Sequence, residues 1–424
     1  MSRPAVPARS PVARLGVLMF LQFFIWGAWY TTVAVFMTNR GMGTLTQWPY
    51  TVNPIAAIAA PFFVGLVADR YFATQRVLAL LHLLGGVLLL AAPSVTGSPG
   101  TFIGLLLLYN LCYMPTLGLS SSLAFQHIRD QEREFPKVRV WGTIGWIVAG
   151  LFISYVLSRF AAGFGADAAE KTPLPLYSAG VASLVLGAYC LTLPHTPPAA
   201  AGQRVSARSV LGLDALQQLG SRSFTVFVAS ALLICIPLAA YYNMTQLYLQ
   251  AAEVKNIAAT QTLGQMSEMG FMVAMPVLFA RLGVKKMLLA GMAAWVLRYV
   301  LFALAAPGAV FWMIALGILL HGICYDFFFV TGQIYVDKKS TPAIRGQAQG
   351  FFVLVTYGVG MLIGAQIAGA VYNGFLAGRP SLPLAEWQQF WWIPAAFAAA
   401  VALFFGVAFR DEPSAAAAGD ERLA

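Results

Sequence analysis

Residues 194–222 read PHTPPAAAGQRVSARSVLGLDALQQLGSR. This is the longest internal polar stretch of a chain otherwise made of apolar runs. It is rich in Pro, Ala, Gly and Ser and carries Arg204, Arg208 and Arg222, the composition of a linker. Six apolar runs precede it, at 14–37, 47–68, 77–94, 101–124, 139–158 and 175–193. Six follow, at 223–247, 259–280, 286–305, 309–332, 346–371 and 389–409. Each is near the length of about 20 residues that a helix needs to cross a bilayer. The chain is 59% hydrophobic and 10% charged, with a mean hydropathy of +0.73. A soluble domain averages about 25% charged residues, so this surface requires lipid as its main solvent. The expectation is an all-α membrane protein with twelve transmembrane helices in two six-helix halves. The halves are 1–193 and 223–409, joined by 194–222 and followed by a tail at 410–424.

Lys and Arg set the orientation. If both ends and the linker lie in the cytoplasm, the inside segments hold 20 of the 26 basic residues. The outside loops hold five, Arg40, Arg159, Lys171, Lys255 and Arg379, and Arg298 falls within a span. This bias follows the positive-inside rule and places both termini in the cytoplasm. It also accounts for the net charge of +10 without nucleic acid, because the basic residues are scattered among the breaks and form no basic run. The run Leu15–Met37 is too long for a signal-peptide core of about 7–15 residues and reads as a retained first helix. Cys112, Cys190, Cys235 and Cys324 all lie in apolar segments without a CxxC pair, as small buried hydrophobes do.

The halves echo one another. Gly65-Leu-Val-Ala-Asp69-Arg70 with Arg76 follows the second span, and Ala280-Arg281-Leu-Gly-Val-Lys285-Lys286 follows the eighth. Two pseudo-symmetric six-span halves are how the major facilitator superfamily is built, with substrate sites near the midplane between them. Gly65, Asp69, Arg70 and Arg76 resemble that superfamily's signature loop, although Phe72 stands where a glycine is usual. The alternative is an ordinary solvated loop.

A charge at the centre of a membrane helix costs about 2.5–3.5 kcal/mol on insertion scales, so the few present are informative. Glu268, Arg298 and Asp326 lie deep in the second half, and Arg139 begins the fifth span. Gln265 and Glu268 are three apart and share a helix face. They can grip a polyhydroxylated or heterocyclic ligand, or Glu268 can be a silent ion pair with Arg298. His321 and Tyr325 are four apart on one face, and Asp326 points about 100° from Tyr325. Asp326 therefore reads as a proton-coupling acid or as the partner of Arg298 in a structural charge pair. Arg139, Thr143 and Trp146 form one stripe, Tyr109, Tyr113, Thr116 and Ser120 another, and Gln22, Trp26 and Trp29 a third. Any one of them fits helix packing. Together they fit a ligand cavity.

Nothing points to an enzyme. There is no GxxxxGK[ST], HExxH or GxSxG motif. His82, His127, His195 and His321 have no metal-ligand spacing, so no metal or cofactor is expected. Without a phosphate-binding loop for ATP, an ion gradient is the expected power source.

The stretches FLQFFIWGAW at 20–29, YMPTLGLS at 113–120, FPKVRVWGTIGW at 135–146, LTLPHTPP at 191–198, LGLDAL at 211–216, WVLRYVLFAL at 295–304, DFFFVTGQIYVDK at 326–338 and PAIRGQAQGFF at 342–352 resemble the nucleoside:proton symporters of the major facilitator superfamily. The likeness runs from about residue 14 to residue 409. It implies nucleoside import with a proton by alternating access across the inner membrane of a bacterial cell, and the chain is expected to work as a monomer in the bilayer. It also implies a ligand site at Arg139, Thr143, Trp146, Gln265, Glu268 and Tyr325, with Glu268 and Asp326 as candidates for the proton. The seventh helix departs from the family, with Ala239 and Tyr242 where a Gln and an Asn are usual. Asn243 and Gln246 lie close by as substitutes, and His321 stands in place of an aromatic hydroxyl. A saccharide:proton symporter would need much the same groups and is the alternative. A non-transporting membrane receptor is a third reading, which intramembrane charges disfavour.

Overall fold

The computed structural model describes residues 11–63, 71–198, 217–341 and 344–410, and every regular element among them is helical. The elements are α1 (Val12–Tyr30), α2 (Val33–Asn39), α3 (Trp48–Phe63), α4 (Thr74–Ala91), α5 (Pro99–His127), α6 (Gln131–Leu151) and α7 (Leu174–Cys190). After the linker come α8 (Arg222–Ala251), α9 (Ile257–Ala305), α10 (Phe311–Leu319), α11 (His321–Tyr325), α12 (Thr331–Lys339), α13 (Arg345–Val353), α14 (Met361–Leu376) and α15 (Trp387–Ala408). Lipid offers no hydrogen bonds to an open backbone, so apolar runs of this length must satisfy their amides internally as helices. Nine helical runs among the described residues are long and apolar enough to span a membrane. One of them, Ile257–Gly308, contains a break at Gly283 (φ 68°), a left-handed conformation that glycine adopts freely. The break divides α9 into two legs, and Lys285 Nζ at the turn donates to the Phe409 carbonyl at 2.7 Å.

The helix pairings repeat along the chain. α1 packs on α6, α4 on α7 and α3 on α5. Beyond the linker, α8 packs on α14, α9 on α15, and α9 on α11. Both α1–α6 and α8–α14 are close approaches. A Cβ on Gly145 would collide with the Phe20 backbone, and one on Gly364 would come within 2.9 Å of the Cys235 carbonyl. Small residues at such crossings allow the van der Waals contact that drives helix association in lipid. The two sets meet where α6 crosses α9 and where α3 meets α14.

Among the described residues three π-helical segments interrupt the regular spans, at Phe152–Val156, Asp326–Val330 and Leu354–Gly360. Such segments rotate the helix face beyond them and gather at functional sites.

Of the signature-loop residues, Gly65, Asp69 and Arg70 lie outside the described residues, whereas Arg76 is exposed in the first turn of α4. Residues 199–216 and 411–424, most of the expected linker and tail, also lie outside them. The start of the linker docks on α4, where the Thr196 amide donates to Gln75 Oε1 at 2.9 Å.

Candidate functional site

One end of the bundle is sealed by hydrogen bonds that cross between residues before and after the linker. The chain breaks at Thr31–Thr32 between α1 and α2, which leaves the first amides of α2 without partners inside the helix. Gln246 of α8 satisfies two of them, its Oε1 accepting from the Ala34 and Val35 amides at 2.9 and 3.3 Å, while its Nε2 donates to Tyr50. Gln261 of α9 donates to the Thr31 carbonyl at 2.9 Å. Glu170, in the loop before α7, is fully buried. Its Oε1 accepts from Ser154 Oγ at 2.7 Å and from the Ala258 amide at the start of α9 at 3.2 Å. Ser154 Oγ in turn accepts from the Ala259 amide at 2.9 Å. At the same end Asn373 donates to the Thr44 carbonyl at 2.9 Å.

Beneath this seal lies a cavity of about 630 Å³. Small-molecule sites run from about 300 to 1,000 Å³. The lining continues to Pro61, Ser121 and Val353, toward the end of the bundle where α5 stops and α6 and α13 begin. Pro61 and Val353 are exposed, so the cavity opens on that side.

Helical periodicity delivers one expected stripe whole to this cavity, with Gln22 and Trp26 of a second and Ser120 of a third, whereas Trp29, Tyr109, Tyr113 and Thr116 lie off the lining. Arg139, Thr143 and Trp146 line it from α6, Gln265 and Glu268 from α9, and His321 and Tyr325 from α11. The Arg139 guanidinium lies 4.3 Å from the centre of the Phe23 ring. That pose depends on Gly142, where a Cβ would sit 2.7 Å from both Arg139 Nη1 and Phe23. Arg139 and Glu268 thus face the same space from opposite sides of the linker division, and no ion pair joins them among the described residues. Aromatic rings form much of the wall. Trp146 meets Trp26 at 5.4 Å, Tyr30 meets Tyr242 at 5.9 Å, and Tyr242 meets His321 at 5.9 Å, all edge to face. Gln265 Oε1, His321 Nδ1 and Trp26 Nε1 are buried without a hydrogen-bond partner among the described residues. The cavity can therefore offer a cation, a carboxylate, amides, hydroxyls and aromatic plates to one solute.

At and behind the wall formed by α1, α3 and α5, polar groups are bonded to one another. Gln22 Nε2 donates to Thr116 Oγ1 at 2.7 Å, and Gln22 Oε1 lies 3.0 Å from His82 Nε2. Tyr113 donates to the Gln22 carbonyl at 2.6 Å, and Asn53 to Asn110 Oδ1 at 2.9 Å.

Three expectations need correction. Arg298 and Asp326 form no charge pair. Arg298 Nε donates to the Gly317 carbonyl at 3.0 Å and its guanidinium stacks 4.0 Å from the Tyr241 ring. Both Asp326 oxygens are buried without a partner among the described residues. The reason is register. Gly291 abuts Phe328 and the Arg298 carbonyl abuts Gly317. This antiparallel alignment leaves Asp326 more than a helical turn, on the order of 7 Å or more, from Arg298. Secondly, Gln246 is no substitute on the cavity wall, because both ends of its amide are engaged in the seal. Thirdly, Asn243 is buried off the lining, and Tyr242 beside it reaches the cavity instead. Asp326 also lies off the lining, one residue beyond Tyr325. Asn53, Tyr30 and Tyr357 line the cavity without having stood out in the sequence. Asn53 carried a signal, an amide within an apolar run, whereas Tyr357 carried none.

The whole chain has known relatives. The family described as nucleoside H+ symporter matches residues 10–414. The putative nucleoside transporter YegT of Escherichia coli is 38% identical over 404 residues, covering 94% of each chain. The nucleoside permease NupG of the same organism is 30% identical, covering 94% of this chain and 95% of its own. A crystal structure of the nucleoside transporter NupG superposes with a TM-score of 0.82 at 29% identity, over 95% of this chain and 99% of that one. The chain is therefore a multi-pass membrane protein belonging to the nucleoside H+ symporter family.

Proposed function

We propose that this protein imports nucleosides together with protons across a bacterial inner membrane, by alternating access of one central site. The observation that carries the reading is the cavity between the two sets of helices, sealed at one end and lined from both sides by ligand-binding chemistry. Twelve spans result when the break at Gly283 divides the longest run and the shorter α3 and α7 are counted as crossings. The repeated pairings support two equivalent halves, 1–193 and 223–409; in this reading 194–222 is a cytoplasmic linker, 410–424 a cytoplasmic tail and the monomer the working unit. With 20 of 26 basic residues on the cytoplasmic side, the seal faces outward and the cavity opens inward.

Arg139 and Thr143 from one half and Gln265 and Glu268 from the other hold the nucleoside. The base stacks near Trp146 or Tyr325, and His321 adds a ring nitrogen. Glu268 and Asp326 are the acids placed to carry the proton, since a carboxylate in a largely apolar bundle exchanges charge only when something compensates it. The outward seal must break for the solute to enter, and its hydrogen bonds are what the outward-open state forgoes.

The test is uptake of radiolabelled uridine into cells, competed by nucleosides, free bases and sugars, with and without a protonophore. Nucleosides should compete better than free bases, and the protonophore should abolish accumulation. Binding of a disaccharide, with neither uridine nor adenosine bound by the purified protein, would replace this reading with sugar transport. Cysteines at Ser206 and Gly163 test the orientation. An impermeant thiol reagent on intact cells should label position 163 and spare position 206, and the reverse pattern would invert the topology.

A further inference from the structure

Tyr357 lies within the π-helical segment Leu354–Gly360 and lines the cavity with Tyr325. Its hydroxyl donates to the Tyr325 hydroxyl at 2.7 Å. Its ring also meets Phe329 in a tilted contact at 5.3 Å, and Phe329 lies 5.3 Å from the Tyr325 ring. The two tyrosines are thus fixed to each other across neighbouring spans, by an oxygen contact and by a shared aromatic neighbour.

The protons decide what this contact does. A phenolic O–H lies near the plane of its ring, so it has two favourable orientations. The Tyr357 proton fills the space between the two oxygens, which excludes the orientation of the Tyr325 O–H that points at Tyr357. The other remains, and no protein acceptor among the described residues takes it. Tyr325 is then a donor with a single direction, on a side chain that faces the cavity. We propose that Tyr357 is a positioning residue for substrate recognition, which holds the Tyr325 O–H as a fixed donor to an oxygen acceptor of the bound nucleoside. The inference rests on the nucleoside reading above and adds to it the group that orients one contact. Tyr357 shares this wall with Val353 and Met361, which lie four residues before and after it along the span.

The experiment is a double-mutant cycle read in KM. Wild type, Tyr325→Phe, Tyr357→Phe and the double variant are assayed for uridine and adenosine uptake in membrane vesicles. Thermal melting of the purified proteins confirms that each is folded. Tyr357→Phe should raise KM roughly two- to tenfold for at least one of the nucleosides with little change in maximal rate, since a net hydrogen bond has about that worth. Tyr325→Phe should raise it at least as much. The double variant should be no worse than Tyr325→Phe alone, because a positioning group has nothing left to position. Additive effects would mean that Tyr357 acts on the ligand directly or only through packing, and would overturn the proposal. So would a wild-type KM in Tyr357→Phe. Wild-type vesicles that take up no nucleoside would overturn the nucleoside reading as well, which separates the two failures.

Discussion

The helices before residues 199–216 and those after them, a first and a second half of the chain, treat their buried polar groups differently. In the first half Gln22, His82, Thr116 and Tyr113 bond to one another, and Asn53 bonds to Asn110. In the second half Asn243, Asp326 and two nitrogens of Arg298 are buried without partners among the described residues. A buried polar group without a partner costs about 1–3 kcal/mol, more when charged. A folded chain keeps such groups where exchange of a ligand or proton compensates them, and completes its networks where rigidity is needed. The first half therefore reads as the scaffold that holds Arg139 and Trp146 in place, and the second as the half whose polar groups change partners during transport.

The largest expected effect lies in the second half. Glu268→Gln and Asp326→Asn are each assayed for uphill, protonophore-sensitive uridine accumulation and for uridine binding. At least one should lose accumulation altogether while binding falls much less. Full accumulation in both would remove these acids from the coupling. Next is the ligand grip. Arg139→Ala should weaken uridine binding roughly 10- to 100-fold in calorimetry on purified protein, as expected for a lost charged hydrogen bond worth about 1.5–3 kcal/mol. An unchanged Kd would move the site elsewhere.

Stability sharpens the contrast further. His82→Leu removes the donor to Gln22 Oε1 and should cost about 1–3 kcal/mol, seen as a lower Tm in detergent. Asp326→Asn should leave Tm unchanged or raise it, because the buried carboxyl it replaces has no partner to lose among the described residues. Equal losses would erase the difference between the halves. The smallest effect belongs to the exposed loop pair, Lys171 Nζ to Asp167 at 2.8 Å. The hydrogen bond from Lys171 holds the Asp167 carboxyl below its ordinary range. Its contribution is present above that range and fades as the pH falls through the lowered value. Lys171→Ala should change stability by no more than about 0.5 kcal/mol at neutral pH.

What the sequence revealed of the site follows from helix geometry. Arg139, Thr143 and Trp146, or Gln265 and Glu268, share a face because 3.6 residues make a turn, and they reach the cavity together. The helical, membrane-spanning character of the apolar runs was equally plain, since lipid admits few alternatives to a helix. Pairing across helices was not legible. Whether Arg298 meets Asp326 depends on the register of two antiparallel spans, which no local pattern encodes. Gln246 looked like a ligand amide because the break at Thr31–Thr32, more than two hundred residues away, leaves the backbone amides that it satisfies. Tyr357 was hidden because its contact with Tyr325 joins two spans, and no local pattern encodes that contact.

The central claim is that nucleoside movement and proton movement are one event. Purified protein in liposomes containing a pH-sensitive dye, with no imposed gradient, tests it directly when uridine is added outside. The account predicts that the interior acidifies as uridine enters, and that this signal is lost in whichever of Glu268→Gln or Asp326→Asn abolishes accumulation. Uridine entry with no change in internal pH would contradict it.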